Sequence, residues 1–380
     1  MNDAAYFEAL DAELVGQGLG RPVILVDLDR VDHNLRLIDE SISHRFRVVT
    51  KSLPSLELID YVMGHAESRG LMAFHLPFVP DMLARWPAVD ILMGKPFLPA
   101  AVEEFLGQAG QDASNRVQWL VDTEERIEEL LEIAGQRGVR LRVNVELDIG
   151  LHRGGVATAG QLGTLLDVIA DHPAQLRFSG MMGYEAHVPF MPDPDAAFDR
   201  AMDNYAGMVE FGRARQPQLF EGQLTFNSGG SKTCHRFSAG HVVNDVAAGS
   251  AVVKPATFEL LVDHQPALFI AAPVIRKFPR VSRTLTDPAT AMSLYLYGGG
   301  WAADLAWPPH VTITPHADPP NQNLLPNQCL FETHVNTPLS TGHFVFFRPQ
   351  QSDAMVQFEE ILAFRGGRLV DRFRPFPRRF

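Results

Sequence analysis

Short apolar segments alternate with amphipathic segments of helical spacing over roughly the first 250 residues. Such alternation is typical of parallel strands that are each followed by a helix. From Phe46 onward the pattern predicts eight strands, and eight strand–helix units favour a closed (β/α)8 barrel over an open sheet. The predicted strands are residues 46–50, 71–74, 89–93, 117–121, 139–146, 176–182, 223–226 and 244–247.

The pattern changes after about Val262. Long helical segments give way to short apolar segments that are separated by stretches rich in Pro and Gly, which predicts a β-rich second domain. A buried strand is also predicted over residues 22–28, ahead of the eight. We therefore predict an α/β barrel over residues 23–262, and a β-rich domain formed by residues 1–22 with 263–380.

Composition and charge exclude several classes of protein. The chain has 380 residues, 46% of them hydrophobic, which is too apolar for disorder, and no apolar run approaches the ~18 residues of a membrane span. The net charge of −12 argues against a nucleic-acid partner. The acidic N-terminus is unlike a secretory signal, and Cys234 and Cys329 are too few for a disulfide framework. We therefore expect a cytoplasmic protein.

Lysine is rare in this chain, which makes its positions informative. Only five of the 33 basic residues are Lys, and Lys51 directly follows the first strand of the predicted barrel. Chemistry in such barrels takes place at the carboxyl ends of the strands. A Lys there, with a buried stem, would supply the neutral amine that a Schiff base needs. The alternative is an ordinary rim Lys paired with a carboxylate.

Three further side chains follow predicted strands. Arg153 lies among glycines after the fifth strand, where unusual backbone angles would let it turn inward, or else it forms a surface ion pair. Tyr184 and His187 follow the sixth strand and are candidates for acid–base chemistry or for contact with a cofactor ring. For His187 alone, the alternative is a hydrogen-bonded structural His.

The loop after the seventh strand has the composition of a phosphate cradle. Ser228, Gly229, Gly230 and Ser231 combine hydroxyls with exposed backbone N–H groups, although such a run also suits a plain turn. Barrels commonly hold phosphate in the loops after strands seven and eight. An amine, an arginine, a Tyr with a His, and a phosphate cradle together fit a phosphorylated carbonyl cofactor, for which pyridoxal 5'-phosphate (PLP) is the candidate.

The chain resembles the fold-type III PLP enzymes, within them the D-threonine aldolase and D-serine dehydratase-like group, whose barrels are of the alanine racemase N-terminal type. The resemblance covers essentially the whole chain. It is carried by RPVILVDLDRVDHNL, VVTKS, DIGLHRGGV, MGYEAH, NSGGS and NDVAAGSAV. It implies that Lys51 forms the Schiff base with PLP and that Arg153 faces the phenolic oxygen of the cofactor. It also implies that Tyr184 and His187 line the substrate side, while residues 228–231 hold the phosphate.

The sequence departs from that group in the β-rich domain. Metal-dependent members carry Pro-Asn-His, with a Cys or Asp two residues after the His. Here residues 326–329 read Pro-Asn-Gln-Cys, so Gln328 replaces the His and Cys329 comes one position early. An amide oxygen is a poorer zinc ligand than imidazole. Gln328 and Cys329 are the metal candidates, His316 and Asp318 fit a structural role better, and the sequence leaves open whether a divalent metal binds.

The resemblance implies a PLP-dependent lyase that acts on a D-β-hydroxy amino acid by retro-aldol cleavage or β-elimination. His187 would be the base on the substrate face and Lys51 the base on the other face. The alternative is a PLP-dependent amino-acid racemase, for which Tyr295 or Tyr297 could supply a second base. A non-catalytic PLP carrier and an unrelated barrel enzyme are further alternatives. The resemblance also implies a homodimer.

Overall fold

The computed structural model describes residues 3–65, 68, 70–237, 240–279, 291–309, 311–313 and 327–377. The chain divides into two compact units, one formed by residues 1–34 with 252–377 and the other by residues 35–251. Among the described residues, no helix combines the length and the apolar character that crossing a membrane requires.

The unit boundaries lie at other positions than the sequence predicts, because the first strand belongs to the β-rich unit. This strand, β1 (Val23–Asp27), is buried along its whole length. It pairs with two strands of the β-rich unit, antiparallel with one and parallel with the other. Helix α1 (Asp3–Gly16) belongs to the same unit, where the Tyr6 hydroxyl donates a 2.8 Å hydrogen bond to Asp27.

All eight strands of the predicted barrel are confirmed. Each pairs in parallel with the next, and the last closes on the first through Arg45 and Asp245. The strands are β2 (Arg45–Val49), β3 (Gly70–Ala73), β4 (Asp90–Met93), β5 (Val117–Val121), β6 (Leu141–Leu147), β7 (Leu176–Gly183), β8 (Thr225–Ser228) and β9 (Asp245–Ala248).

Local signals in the sequence define the helices that precede, connect and follow these strands. The Thr123 side chain caps one helix by accepting from the Arg126 N–H, and Gly138 ends that helix in a left-handed conformation. Thr158 and Gln161 form a capping box at the start of another. The helices are α2 (Leu28–Ser41), α3 (Leu56–His65), α4 (Val79–Arg85), α5 (Pro99–Arg116), α6 (Glu124–Arg137), α7 (Ala159–Asp171), α8 (Pro194–Arg215) and α9 (Ser250–Val253).

The inward-facing side chains of the barrel form two layers. The layer nearer the carboxyl ends of the strands is apolar and comprises Val49, Met72, Leu92, Leu120, Met182 and Ala247, with Phe74 packed against it. Side chains two residues earlier on a strand point to the same side, so a second layer lies below the first. We call this second layer the floor; it comprises Arg47, Asp90, Gln118, Asn144 and Asp245.

The floor is a connected network of hydrogen bonds and ion pairs. Arg47 is fully buried, and its guanidinium lies 2.6 Å from Asp245 and 2.7 Å from Asp90. Gln118 donates to Asp90 at 2.8 Å, and Asn144 donates to Gln118 at 3.1 Å. Opposite charges thus satisfy one another in the interior of the barrel, and the amides join them, while Asn144 Oδ1 has no partner among the described residues.

Electrostatics in the floor favour the ionised form of Asp90. Burial opposes ionisation of Asp90, but Arg47 and then Arg142 lower its pKa to about 2. Gly70 leaves room for the arginine, because a Cβ there would lie 3.2 Å from the Arg47 Cζ.

The β-rich unit contains, among its described residues, a nine-stranded sheet that includes β1. The predicted β-rich C-terminal part is therefore confirmed. Its strands besides β1 are β10 (Leu268–Pro279), β11 (Ala291–Tyr297), β12 (Ala303–Trp307), β13 (Thr312–Ile313), β14 (Gln328–His334), β15 (Phe344–Pro349), β16 (Ile361–Arg365) and β17 (Arg368–Phe373). The sheet runs in the order β13-β14-β11-β10-β1-β16-β17, and β15 pairs with both β10 and β12.

Candidate active site

The loops that follow the barrel strands form a rim, and the candidate residues of the barrel lie on it. Lys51 lies in a single 3-10 turn, Thr50–Ser52, directly after β2. Its side chain is exposed rather than buried along the stem, and its Nζ lies 4.3 Å from the centroid of the Phe74 ring. The aromatic face therefore orients the amine over the apolar layer.

Arg153 is held at the rim by a carboxylate and a ring. Its Nη2 lies 3.3 Å from Glu146 Oε1, and its guanidinium carbon lies 5.1 Å from the centroid of the Tyr184 ring. Burial raises the pKa of Glu146, and the charge of Arg153 opposes that rise. The loop that follows Glu146 and carries Arg153 needs glycine at position 155. Gly155 has a φ of +96°, and a Cβ there would lie 2.6 Å from the Asp148 backbone nitrogen.

His187 lies against the same loop. A Cβ on Gly150 would lie 3.0 Å from His187 Nε2, so the ring packs closely on the glycine. The other ring nitrogen, Nδ1, is buried and has no hydrogen-bond partner among the described residues. An imidazole with such a nitrogen can accept or donate a proton once a ligand reaches it.

Tyr184 joins this group of residues to the glycine-rich loop after β8. Its ring lies over Gly230, where a Cβ would approach Tyr184 Cε2 to 2.6 Å. Burial, and then the neighbouring charge of Glu185, raise the pKa of Tyr184. The phenol therefore keeps its proton at neutral pH and can donate a hydrogen bond.

The loops after β2, β8 and β9 are bonded to one another. Ser231 Oγ accepts from the backbone N–H groups of Gly249, at 3.2 Å, and Ala251, at 2.9 Å. The hydroxyls of Ser52 and Ser250 are 2.9 Å apart. The turn that carries Lys51 and the two small-residue loops thus form one connected surface of the barrel unit.

The sequence reasoning missed Glu185, which is fully buried behind the glycine-rich loop. Its carboxylate accepts from Ser228 Oγ at 2.6 Å, from the Gly229 N–H at 3.2 Å, and from the Thr233 hydroxyl. The signal in the sequence is small: a charged residue among small and aromatic residues at a strand end. Two groups assigned to phosphate therefore already have an acceptor within the protein.

The barrel residues suit PLP chemically. Lys51 offers an amine, and the N–H groups of Gly230 and Ser231 donate to no acceptor in the described part of the chain. Arg153 and Tyr184 lie together on the same rim as that loop. A cofactor that needs one amine, several phosphate donors and a cation beside its ring would find these groups here.

The metal candidates do not fit a divalent cation. Gln328 and Cys329 are neighbours on β14, so their side chains point to opposite faces of the strand. Gln328 Oε1 accepts from the Tyr295 hydroxyl, and burial raises the pKa of the Cys329 thiol to about 11. Among the described residues, no three His, Cys, Asp or Glu side chains are grouped to hold a metal. His316 and Asp318 lie outside those residues.

Comparisons with known proteins agree with this architecture. The model of the family "alanine racemase, N-terminal domain" matches residues 26–255. A search of curated protein sequences found no match. Solved structures with a similar fold include the D-threonine aldolase from Filomicrobium marinum, with a TM-score of 0.70 and 20% identity over 94% of this chain and 97% of that one.

Two other solved structures are similar over comparable lengths. The D-threo-3-hydroxyaspartate dehydratase from Delftia sp. HT23 has a TM-score of 0.74 and 16% identity over 94% of this chain and 98% of that one. The alanine racemase from Bacillus anthracis has a TM-score of 0.70 and 14% identity over 94% and 98%. At these identities the similarity establishes a shared fold.

Proposed function

Because this chain belongs to the alanine racemase N-terminal domain family, whose members depend on PLP, we propose that it is an enzyme that holds PLP covalently through Lys51. The observation that carries the proposal is the position of Lys51. It follows the first barrel strand, in a turn that is bonded through Ser52 and Ser250 to the small-residue loops after β8 and β9.

The remaining rim residues suggest how the site would bind its cofactor. The loop after β8 would take the phosphate, and Arg153, held between Glu146 and Tyr184, would lie beside the phenolic oxygen of the ring. The half-buried Tyr184 phenol would donate to the cofactor or the substrate, because its raised pKa keeps the proton on the oxygen. A substrate amino acid would then lie on the side of the ring lined by His187.

We propose a lyase reaction on a D-β-hydroxy amino acid, either cleavage to glycine and an aldehyde or β-elimination. When bound, PLP supplies an electron sink that makes bonds to the substrate Cα easier to break. His187 would take the proton of the β-hydroxyl or of Cα, since its Nδ1 is not engaged within the described part of the protein. The names of two similar structures, an aldolase and a dehydratase, support this class.

The alternative of an amino-acid racemase needs a second base on the opposite face. Tyr295, one candidate, donates its hydroxyl to Gln328 and so is already engaged within the β-rich unit. Tyr297 is partly exposed. The similarity to the structure of an alanine racemase supports testing this alternative as well.

Two finer expectations accompany the proposal. The resemblance to fold-type III enzymes supports a homodimer. The small number of cysteines, both of them buried, supports a reducing compartment such as the cytoplasm.

The deciding experiment combines spectroscopy with labelling. The purified chain should show absorbance near ~420 nm that borohydride removes, with the reduced cofactor mapped to the peptide that contains Lys51. D-β-hydroxy amino acids should then yield glycine with an aldehyde, or ammonia with a keto acid. Formation of the enantiomer alone would favour the racemase. A label on another Lys, or no band after PLP is added, would refute the site.

A further inference from the structure

The buried carboxylate of Glu185 lies in contact with the loop that the sequence assigns to phosphate. It accepts hydrogen bonds from both the side chain of Ser228 and the backbone N–H of Gly229, and a third from the Thr233 hydroxyl. Glu185 is fully buried, and so is Ser228. Bonds to a buried carboxylate are strong, because neither partner can exchange the other for water.

A phosphate cannot share these two donors easily. Each hydroxyl and each N–H carries one proton, and those of Ser228 and Gly229 are directed to the carboxylate. A second anion placed on the same groups would also lie beside the charge of Glu185, and like charges at that distance repel.

Other donors of the same loop remain available. The N–H groups of Gly230 and Ser231 donate to no acceptor among the described residues. Ser231 Oγ already accepts from the N–H groups of Gly249 and Ala251, so its own proton is the one left to donate. These donors lie one and two residues beyond the pair that Glu185 engages.

Close packing at Gly229 and Gly230 fixes the conformation of the loop next to Glu185. Gly229 has a φ of +91°, and a Cβ there would lie 2.8 Å from Val246 Cγ1. Gly230 packs under the Tyr184 ring, so Tyr184 and Glu185, neighbours in the chain, contact successive residues of the loop. A change at Glu185 would therefore alter the direction of the N–H groups that follow.

We propose that Glu185 is a positioning residue that selects which donors reach the cofactor phosphate. It engages Ser228 and Gly229, and thereby directs Gly230 and Ser231 toward the phosphate. This inference rests on the proposed PLP function and revises the phosphate set that the sequence implies. Glu185 itself does not touch the cofactor.

The test compares PLP with pyridoxal, which lacks the phosphate. Dissociation constants of both are measured on the full chain by absorbance titration. Glu185→Gln should weaken PLP binding by roughly tenfold or more, because an amide cannot accept all three bonds, while pyridoxal binding changes less than about twofold. Glu129→Gln, which removes a carboxylate paired with Arg126 on helix α6, is the matched control and should change neither constant.

Two serine variants test the donor set even if Glu185→Gln does not fold. Ser231→Ala should weaken PLP roughly tenfold, and Ser228→Ala should weaken it by less than about threefold. Equal losses for the two serines, or a parallel loss of PLP and pyridoxal in Glu185→Gln, would overturn the inference. Absence of any label on Lys51 in the unmodified chain is the separate result that would overturn the proposed function.

Discussion

The floor and the rim of the barrel use polar groups in different ways. In the floor, Arg47 lies between Asp245 and Asp90, and each of the three is bonded to the others or to neighbouring amides. On the rim, the Arg153–Glu146 contact is long, at 3.3 Å, and His187 Nδ1 has no partner among the described residues. The floor pairs its charged groups within the protein and so stabilises the fold, although Asn144 Oδ1 has no partner among the described residues. At the ends of the strands, buried groups with spare bonding capacity are where a ligand is expected.

Changing the amine on the rim should have the largest effect on function and almost none on stability. Lys51→Arg keeps a cation over Phe74 but cannot hold the cofactor covalently. We expect turnover to fall on the order of 10³-fold or more, with loss of the borohydride-sensitive band. Because Lys51 is exposed, the free energy of unfolding should stay within about 0.5 kcal/mol. Retained turnover in this variant would mean that another amine carries the chemistry.

Changing a charge in the floor should instead affect stability more than function. Asp245→Asn leaves the buried Arg47 without its closest carboxylate. Arg47 keeps Asp90 as a partner at 2.7 Å, so losing one of its two carboxylates should cost about 1–3 kcal/mol, which urea unfolding would measure. The control Asp167→Asn removes a surface partner of Arg215 and should change stability little. A small loss in Asp245→Asn would show that the floor is not the stabilising layer we describe.

His187 tests the rim at the residue that we propose to move the proton. His187→Ala should lower kcat by about 10²-fold, the usual contribution of one general acid or base, without changing the dissociation constant of PLP. The control is His172→Ala, since His172 bonds to the Val168 carbonyl at the end of helix α7, away from the rim. If kcat stays within twofold of the unmodified chain, His187 is a structural residue and another group moves the proton.

The sequence predicts the eight strands well, because each is a short apolar run bounded by a polar helix. It identifies Lys51 for a different reason: Lys is so rare here that its position after a strand stands out. The floor could not be predicted in this way. Arg47 and Asn144 alternate with apolar residues, and alternation alone does not tell which side of a strand faces the barrel interior.

Contacts between distant parts of the chain explain the other misses. Glu185 is adjacent to a predicted site residue, but its partner Ser228 is 43 residues away, and no local pattern joins them. Likewise, the sequence predicts β1 as a buried strand ahead of the eight and includes it in the barrel domain. Its place in the β-rich sheet depends on pairing with β16, which starts at Ile361.

The floor should also make stability depend on pH in acid. The folded-state pKa of Asp90 is about 2, below its ordinary 3.8, so the ionised form stabilises the fold above pH 3.8. As pH falls through 2 this contribution, about 2 kcal/mol, is lost. Asp90→Asn should therefore show a flatter unfolding profile between these values than the unmodified chain. Parallel profiles would mean that other carboxylates govern the acid transition.

The smallest expected effect is that of a chelator. Gln328 offers an amide oxygen that is bonded to Tyr295, and Leu330, the next side chain on the same face of β14, offers no ligand. If metal binding depends on Gln328 and Cys329, EDTA should therefore leave turnover unchanged, and elemental analysis should find far less than one divalent ion per chain. Loss of turnover on chelation, restored by one added metal, would require ligands other than Gln328 and Cys329.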